Sequence, residues 1–141
     1  MSLLSTDIVL VVEPDLVTRE TYRRALSGAG FRVNLVDDGG AAVSFLEQYR
    51  PAAVVFDPGF PQPNGVDLHQ ELRARPNTKD VPAIVIVGSD AVVEPHPLDT
   101  FIRKPVRLEQ LVAAVEAALS RSPTSRYTRF YDEDEAEDDE I

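Results

Sequence analysis

The sequence predicts a doubly wound α/β domain with five parallel strands. Three observations carry that expectation: short apolar runs rich in β-branched residues, helical periodicities between them, and polar residues standing just after each run. Ile8 to Val12, Ala52 to Phe56 and Ala83 to Val87 have the pattern of strands buried on both faces. A second strand is placed over Phe31 to Val36 and a fifth over Leu98 to Ile102. Val17, Tyr22, Ala25 and Leu26 share one face of a first helix, and Ala42, Phe45, Leu46 and Tyr49 one face of a second. Leu68 with Leu72 marks a short third. The last helix is the clearest, with Leu108, Leu111, Val112, Val115 and Leu119 at helical spacing.

The breaks fall between these elements. Gly28 and Gly30 close the first helix, and Asp38-Gly39 turns into the second. Asp15, after Pro14, is expected to cap the first helix. A full helix between the fourth and fifth strands is excluded, because Glu94-Pro-His-Pro97 places two prolines where a helix interior would need amide donors. That helix is expected to be short or missing, and His96 between the prolines to be exposed and inert.

Composition narrows the chemistry. The chain has 141 residues, 43% of them hydrophobic, enough for one core and too few for a two-domain enzyme. We divide it into a domain over 1–121 and an acidic tail over 122–141. The absence of cysteine removes disulfides, thiol catalysis and zinc-thiolate sites, leaving hard metals with oxygen ligands. The net charge of −10 is uneven. The tail holds two arginines against eight carboxylates, net −6, and the first 121 residues hold 12 basic and 16 acidic groups, net −4. With no basic stripe, nucleic acid is not the expected partner. No run is long enough to span a membrane and no secretory signal opens the chain, so a cytoplasmic protein is expected. The tail lacks apolar periodicity and is expected to be disordered or a linker.

Ligands of a doubly wound sheet sit at the carboxyl ends of its strands, which directs attention to Glu13, Asp57, the residues after Val87, and Lys104. Singly, a carboxylate after a strand is most often a helix cap. Two carboxylates and a lysine at one sheet edge could hold a divalent cation and a phosphoryl group. Competing sites fail on context: Gly28-Ala-Gly30 follows a helix instead of opening one, and no serine stands in a glycine-flanked elbow.

Across residues 7–120 the sequence resembles the receiver domain of bacterial two-component response regulators, which has a flavodoxin-like fold of strand order 2-1-3-4-5. The resemblance rests on Val11-Val12-Glu13, on Asp57 followed by Pro61 and Gly65, and on Phe101-Ile-Arg-Lys104-Pro105. It implies that Asp57 accepts a phosphoryl group from a sensor histidine kinase or phosphotransfer protein. It further implies that Glu13 belongs to an acidic magnesium-binding pair, that Glu13, Asp57 and the Gly59 carbonyl ligate magnesium with waters completing an octahedron, and that Lys104 and the Gly88 amide contact the phosphoryl oxygens. Phe101 would be the switch aromatic. The Lys104-Pro105 bond is cis in the family; the sequence alone only permits that. A downstream protein would be met through the fifth strand and the last helix. The chain would be no enzyme beyond its own phosphorylation and dephosphorylation.

Three positions depart from the family. Pro14 replaces the second acid, Val87 replaces the Thr or Ser that reports phosphorylation, and Pro58 removes the amide donor after Asp57. They favour an alternative, a degenerate receiver that serves as a phosphorylation-independent interaction module. A small flavodoxin-like enzyme is disfavoured, since no cofactor motif survives.

Overall fold

The computed structural model describes residues 4–59 and 67–121. In chain order its elements are β1 (Leu4–Ser5), β2 (Ile8–Val12), α1 (Leu16–Gly28), β3 (Arg32–Val36), α2 (Gly39–Leu46), β4 (Tyr49–Arg50), β5 (Ala53–Phe56), α3 (Leu68–Ala74), β6 (Ala83–Val87), β7 (Asp99–Arg103) and α4 (Leu108–Arg121). The main sheet is parallel throughout, in the order β3-β2-β5-β6-β7. Counting only its own strands, that is 2-1-3-4-5, as the alternation of strand and helix signals implies. A two-residue parallel pair, β1 with β4, adds a small second sheet that carries no periodic signal in the sequence.

Strand alternation divides the core in two. Val9, Val11, Val55, Ile84, Ile86 and Ile102 face α1 and α4, where they meet Tyr22, Leu26, Leu111, Val115 and Leu119. Leu10, Val12, Val54, Phe56, Val85 and Val87 face α2 and α3, where they meet Ala42, Leu46, Leu68 and Leu72. Side-chain oxygens of Asp15, Asp38 and Asp67 accept amides of Thr18, Ala41 and Gln70, capping α1, α2 and α3.

Several expectations are corrected. The second and third main strands begin one residue later than expected, and the fifth is shifted one residue along, ending at Arg103. Val17, in the first turn of α1, is 73% exposed, and Leu108, at the start of α4, is exposed as well. Tyr49 is in β4 and not in α2, which stops at Leu46; its ring still packs on Phe45, with centroids 5.1 Å apart. The Pro61 and Gly65 part of the acceptor motif and the tail 122–141 lie outside the described residues.

Among the described residues no helix lies between β6 and β7, as the prolines require. A charge cluster occupies part of the surface such a helix would cover. Asp99, the first residue of β7, has a side chain only 1% exposed, so its charge needs compensation from within the protein. Arg73 Nη2 donates to Asp99 Oδ1 at 2.6 Å, and His69 Nε2 lies 2.9 Å from Asp99 Oδ2. Arg73 Nη1 reaches the carbonyl oxygens of Lys79 and Val81 at 2.9 and 2.6 Å. One guanidinium therefore ties α3, the loop before β6 and the start of β7 together. His96 is exposed but not idle, since its Nδ1 accepts the Leu98 amide at 3.0 Å and its carbonyl accepts that of Asp99 at 3.0 Å.

Removing one member of a buried ion pair leaves the other uncompensated. Urea unfolding of Asp99→Ala is expected to show a loss of about 3 kcal/mol, against almost none for the fully solvated Val92→Ser.

Candidate functional site

Glu13, Asp57, Gly88 and Lys104 each stand one residue beyond the end of β2, β5, β6 and β7, so parallel pairing brings all four to one edge. Val12 is paired with Phe56, which makes Glu13 and Asp57 neighbours. Lys104 must reach across the end of β6, and it does: its Nζ forms an ion pair with Asp57 Oδ2. Asp57 is 7% exposed and Lys104 48%, so the carboxylate is buried while its cation touches water. The Lys104 amide donates to the Val87 carbonyl at 2.9 Å, fixing the root of the lysine, and the Lys104-Pro105 bond is cis.

The other Asp57 oxygen, Oδ1, accepts the Gly59 amide at 2.7 Å. A Cβ at residue 59 would stand 3.1 Å from that oxygen, close enough to displace it, so glycine suits the position. Pro58, which has no amide to offer, is exposed in the turn.

Glu13 is 5% exposed and its Oε2 accepts the Asp15 amide at 2.9 Å. Burial raises its pKa above the usual carboxylate range; the Asp15 amide opposes that rise, the charges of Asp15 and Asp57 add to it, and Lys104 opposes it. Arg19 Nη1 donates to the Glu13 carbonyl at 2.9 Å and to the Pro14 carbonyl at 3.4 Å, closing the loop. Pro14 is exposed and Asp15 is committed to its cap. Its bonds from Thr18, hydroxyl before amide, hold the Asp15 carboxyl below its usual range. Among the described residues no third His, Cys, Asp or Glu joins Glu13 and Asp57 in a metal-binding group. Two hard carboxylate donors nonetheless fit a cation that keeps most of its waters, such as magnesium.

Tyr22 is the residue that sequence reasoning missed, since its helical spacing marked only a core position. Its phenol, buried in the core on the α1 side, is pushed up to about 12 by burial first and then by the charges of Glu13 and Asp57. A tyrosine among otherwise aliphatic core positions was the available signal. Val87 is buried in the core against α2 and α3, and carries no hydroxyl to the site. Phe101 is half-buried on the same side of the sheet, against the segment 88–98.

A buried acidic residue at the end of the central strand, ion-paired with a lysine from the edge strand, points to the receiver class within the doubly wound folds. The comparisons agree. Residues 9–116 match the family model of the response regulator receiver domain, and the chain belongs to that family. It is 35% identical over 119 residues to the response regulator MprA of Mycobacterium sp. (strain KMS), covering 81% of this chain and 51% of that protein. The chain thus spans about half the length of the curated relatives it matches. Among solved structures, a putative response regulator from Chloroflexus aurantiacus is 26% identical, with a TM-score of 0.71, covering 82% of this chain and 98% of that one. The receiver domain of a sensor histidine kinase from Pseudomonas aeruginosa PAO1, solved with magnesium in its active site cleft, is 27% identical. Its TM-score is 0.67, covering 79% of this chain and 95% of that one.

A raised carboxyl pKa means that the folded state holds a proton that the unfolded state has released. The stabilising contribution is therefore present below the unfolded value and is lost as pH rises through the folded one. Glu13→Gln keeps an acceptor for the Asp15 amide without the charge. Thermal unfolding is expected to show the variant more stable than wild type at pH 7, with the difference shrinking as pH falls through the raised Glu13 pKa.

Proposed function

We propose that this receiver domain accepts a phosphoryl group on Asp57 from a sensor histidine kinase or phosphotransfer protein and signals through protein contacts. The pairing of buried Asp57 with Lys104 carries this reading. In the transfer, an Asp57 carboxylate oxygen forms a bond to phosphorus while the bond from phosphorus to the donor breaks and the donor leaves. Little covalent work falls to the protein, which must position the phosphoryl group and balance its charge. Lys104 supplies one cation. Its present hold on Oδ2 orients the carboxylate, as does the Gly59 amide on Oδ1. The Gly88 amide offers a neutral donor. Magnesium held by Glu13, Asp57 and the Gly59 carbonyl would neutralise the remaining phosphoryl charge. The chemistry is confined to the chain's own aspartate, so this is no enzyme with an external product. The acidic body and the absence, among described residues, of a helix able to cross a membrane accord with a cytoplasmic protein that meets other proteins.

The departures favour weak metal binding. Pro14 withholds a carboxylate whose attraction for a charge at ~4 Å is worth up to about 4 kcal/mol at an effective dielectric of 20, before solvent compensation. Incubation with acetyl phosphate and magnesium is expected to add one phosphoryl group, read by intact mass, slowly in wild type and not at all in Asp57→Ala. Pro14→Asp is expected to bind magnesium more tightly and label faster. If only Pro14→Asp labels, the second reading holds, and the natural protein is a phosphorylation-independent interaction module. Val87 and the missing helix favour that reading.

Both readings share an output surface, the face of β7 and α4. A phosphoryl group adds about −1.5 to −2 charge at one point, but a signal needs an element with two arrangements that the charge favours unequally. Val87 cannot follow the phosphoryl group by a hydrogen bond, and no helix stands between β6 and β7 to respond. Phe101 is left to respond through repacking alone. A partner titrated against both forms is expected to bind them within about tenfold of each other; a difference of about a hundredfold would mean strong coupling.

A further inference from the structure

Arg103 precedes Lys104, and its exposed side chain turns back over the segment that replaces the missing helix. Its Nη1 donates to the Ala91 carbonyl at 2.6 Å and lies 3.5 Å from the carbonyl oxygens of both Gly88 and Ser89. The Ala91 amide closes the same turn on the Gly88 carbonyl at 3.2 Å. A Cβ built at Gly88 would meet no atom within 4 Å, so the grip of Arg103 on this turn acts beside the backbone bond from the Lys104 amide to the Val87 carbonyl. The direction of the Gly88 amide follows from peptide planarity. The Val87 carbonyl accepts the Lys104 amide from β7, so the Gly88 N–H of the same peptide unit points the other way, toward β5 and the Asp57 end.

We propose that Arg103 is a positioning residue for phosphoryl acceptance. By gripping the Gly88 to Ala91 turn it keeps the Gly88 amide aimed at an anion on Asp57, where Val87 supplies no hydroxyl. The proposal rests on the reading of Asp57 as acceptor. One guanidinium nitrogen, Nη1, makes all three contacts, and the short one to the Ala91 carbonyl anchors the turn. Exposed as it is, the guanidinium contributes little to folding stability.

The test compares wild type, Arg103→Ala and Arg103→Lys, labelled with acetyl phosphate and magnesium, with thermal unfolding and amide relaxation of Gly88 measured on each. A mis-aimed donor costs rate more than binding, so Arg103→Ala is expected to label about tenfold more slowly. Its unfolding midpoint should be unchanged and its Gly88 amide more mobile, with Arg103→Lys between the two. Labelling of Arg103→Ala at the wild-type rate overturns the role of Arg103 and leaves the acceptor reading standing. Slow labelling with an unaltered Gly88 amide also overturns it. A wild type that takes no phosphoryl group removes the acceptor reading, and the role of Arg103 with it.

Discussion

Burying a carboxylate at the end of a central strand is unfavourable unless a cation or donors meet it, and Asp57 is met on both oxygens. Lys104 takes one and the Gly59 amide the other. Each of these contacts imposes something on the rest of the chain. For the lysine to arrive, β7 must lie two places from β5 and parallel to it, and the chain must leave β7 one residue past the ladder. Where the Gly59 amide turns back, a Cβ at 59 would crowd the Asp57 oxygen at 3.1 Å, which favours glycine there. The sheet order, the glycine and the position of Lys104 are thus parts of one requirement, and the two apolar layers hold the strands where it is met.

The absent helix has a similar logic at the other end of β7. Without that helix, the first residue of the edge strand could be left to water. Instead Asp99 is buried against Arg73 and His69, so α3 does part of the covering. A buried ion pair of this kind is not strong evidence for added stability, since desolvation offsets much of the attraction. Its consequence is register: the arginine that holds Asp99 also holds two carbonyls of the preceding loop, and those bonds fit only one placement of β7. Arg103 grips the other end of the helix-free segment, so the stretch between β6 and β7 is fastened at both ends although it forms no regular structure.

The carboxylate site is lean in charge. Glu13 and Asp57 against Lys104 leave one net negative charge where a third acid would leave two. Glu13 is turned toward the amide of its own loop, and burial disfavours its ionised form. Such a site is less demanding of a metal when empty and less able to bind one, which connects the proline at 14 to both readings of the function.

Much of this was legible in the sequence for local reasons. Continuous apolar runs rich in β-branched residues and helical stripes of period 3.6 report burial within a single element; they located the five main strands to within a residue and the helices as well, except that α2 stops three residues short of Tyr49. The strand-end positions of Glu13, Asp57 and Lys104 followed from the same reading, and two prolines sufficed to exclude a full helix between β6 and β7. What only the tertiary structure decided are contacts between elements distant along the chain. Arg73 and His69 meet Asp99 across 26 and 30 positions, and Arg103 meets Ala91 across 12. The phenol of Tyr22 feels the charges of two carboxylates that follow different strands. No periodicity records such pairings, because an arginine or tyrosine has the same local signature whether its polar end meets water or a buried partner. Which of the two it meets is fixed only when the sheet has ordered the strands.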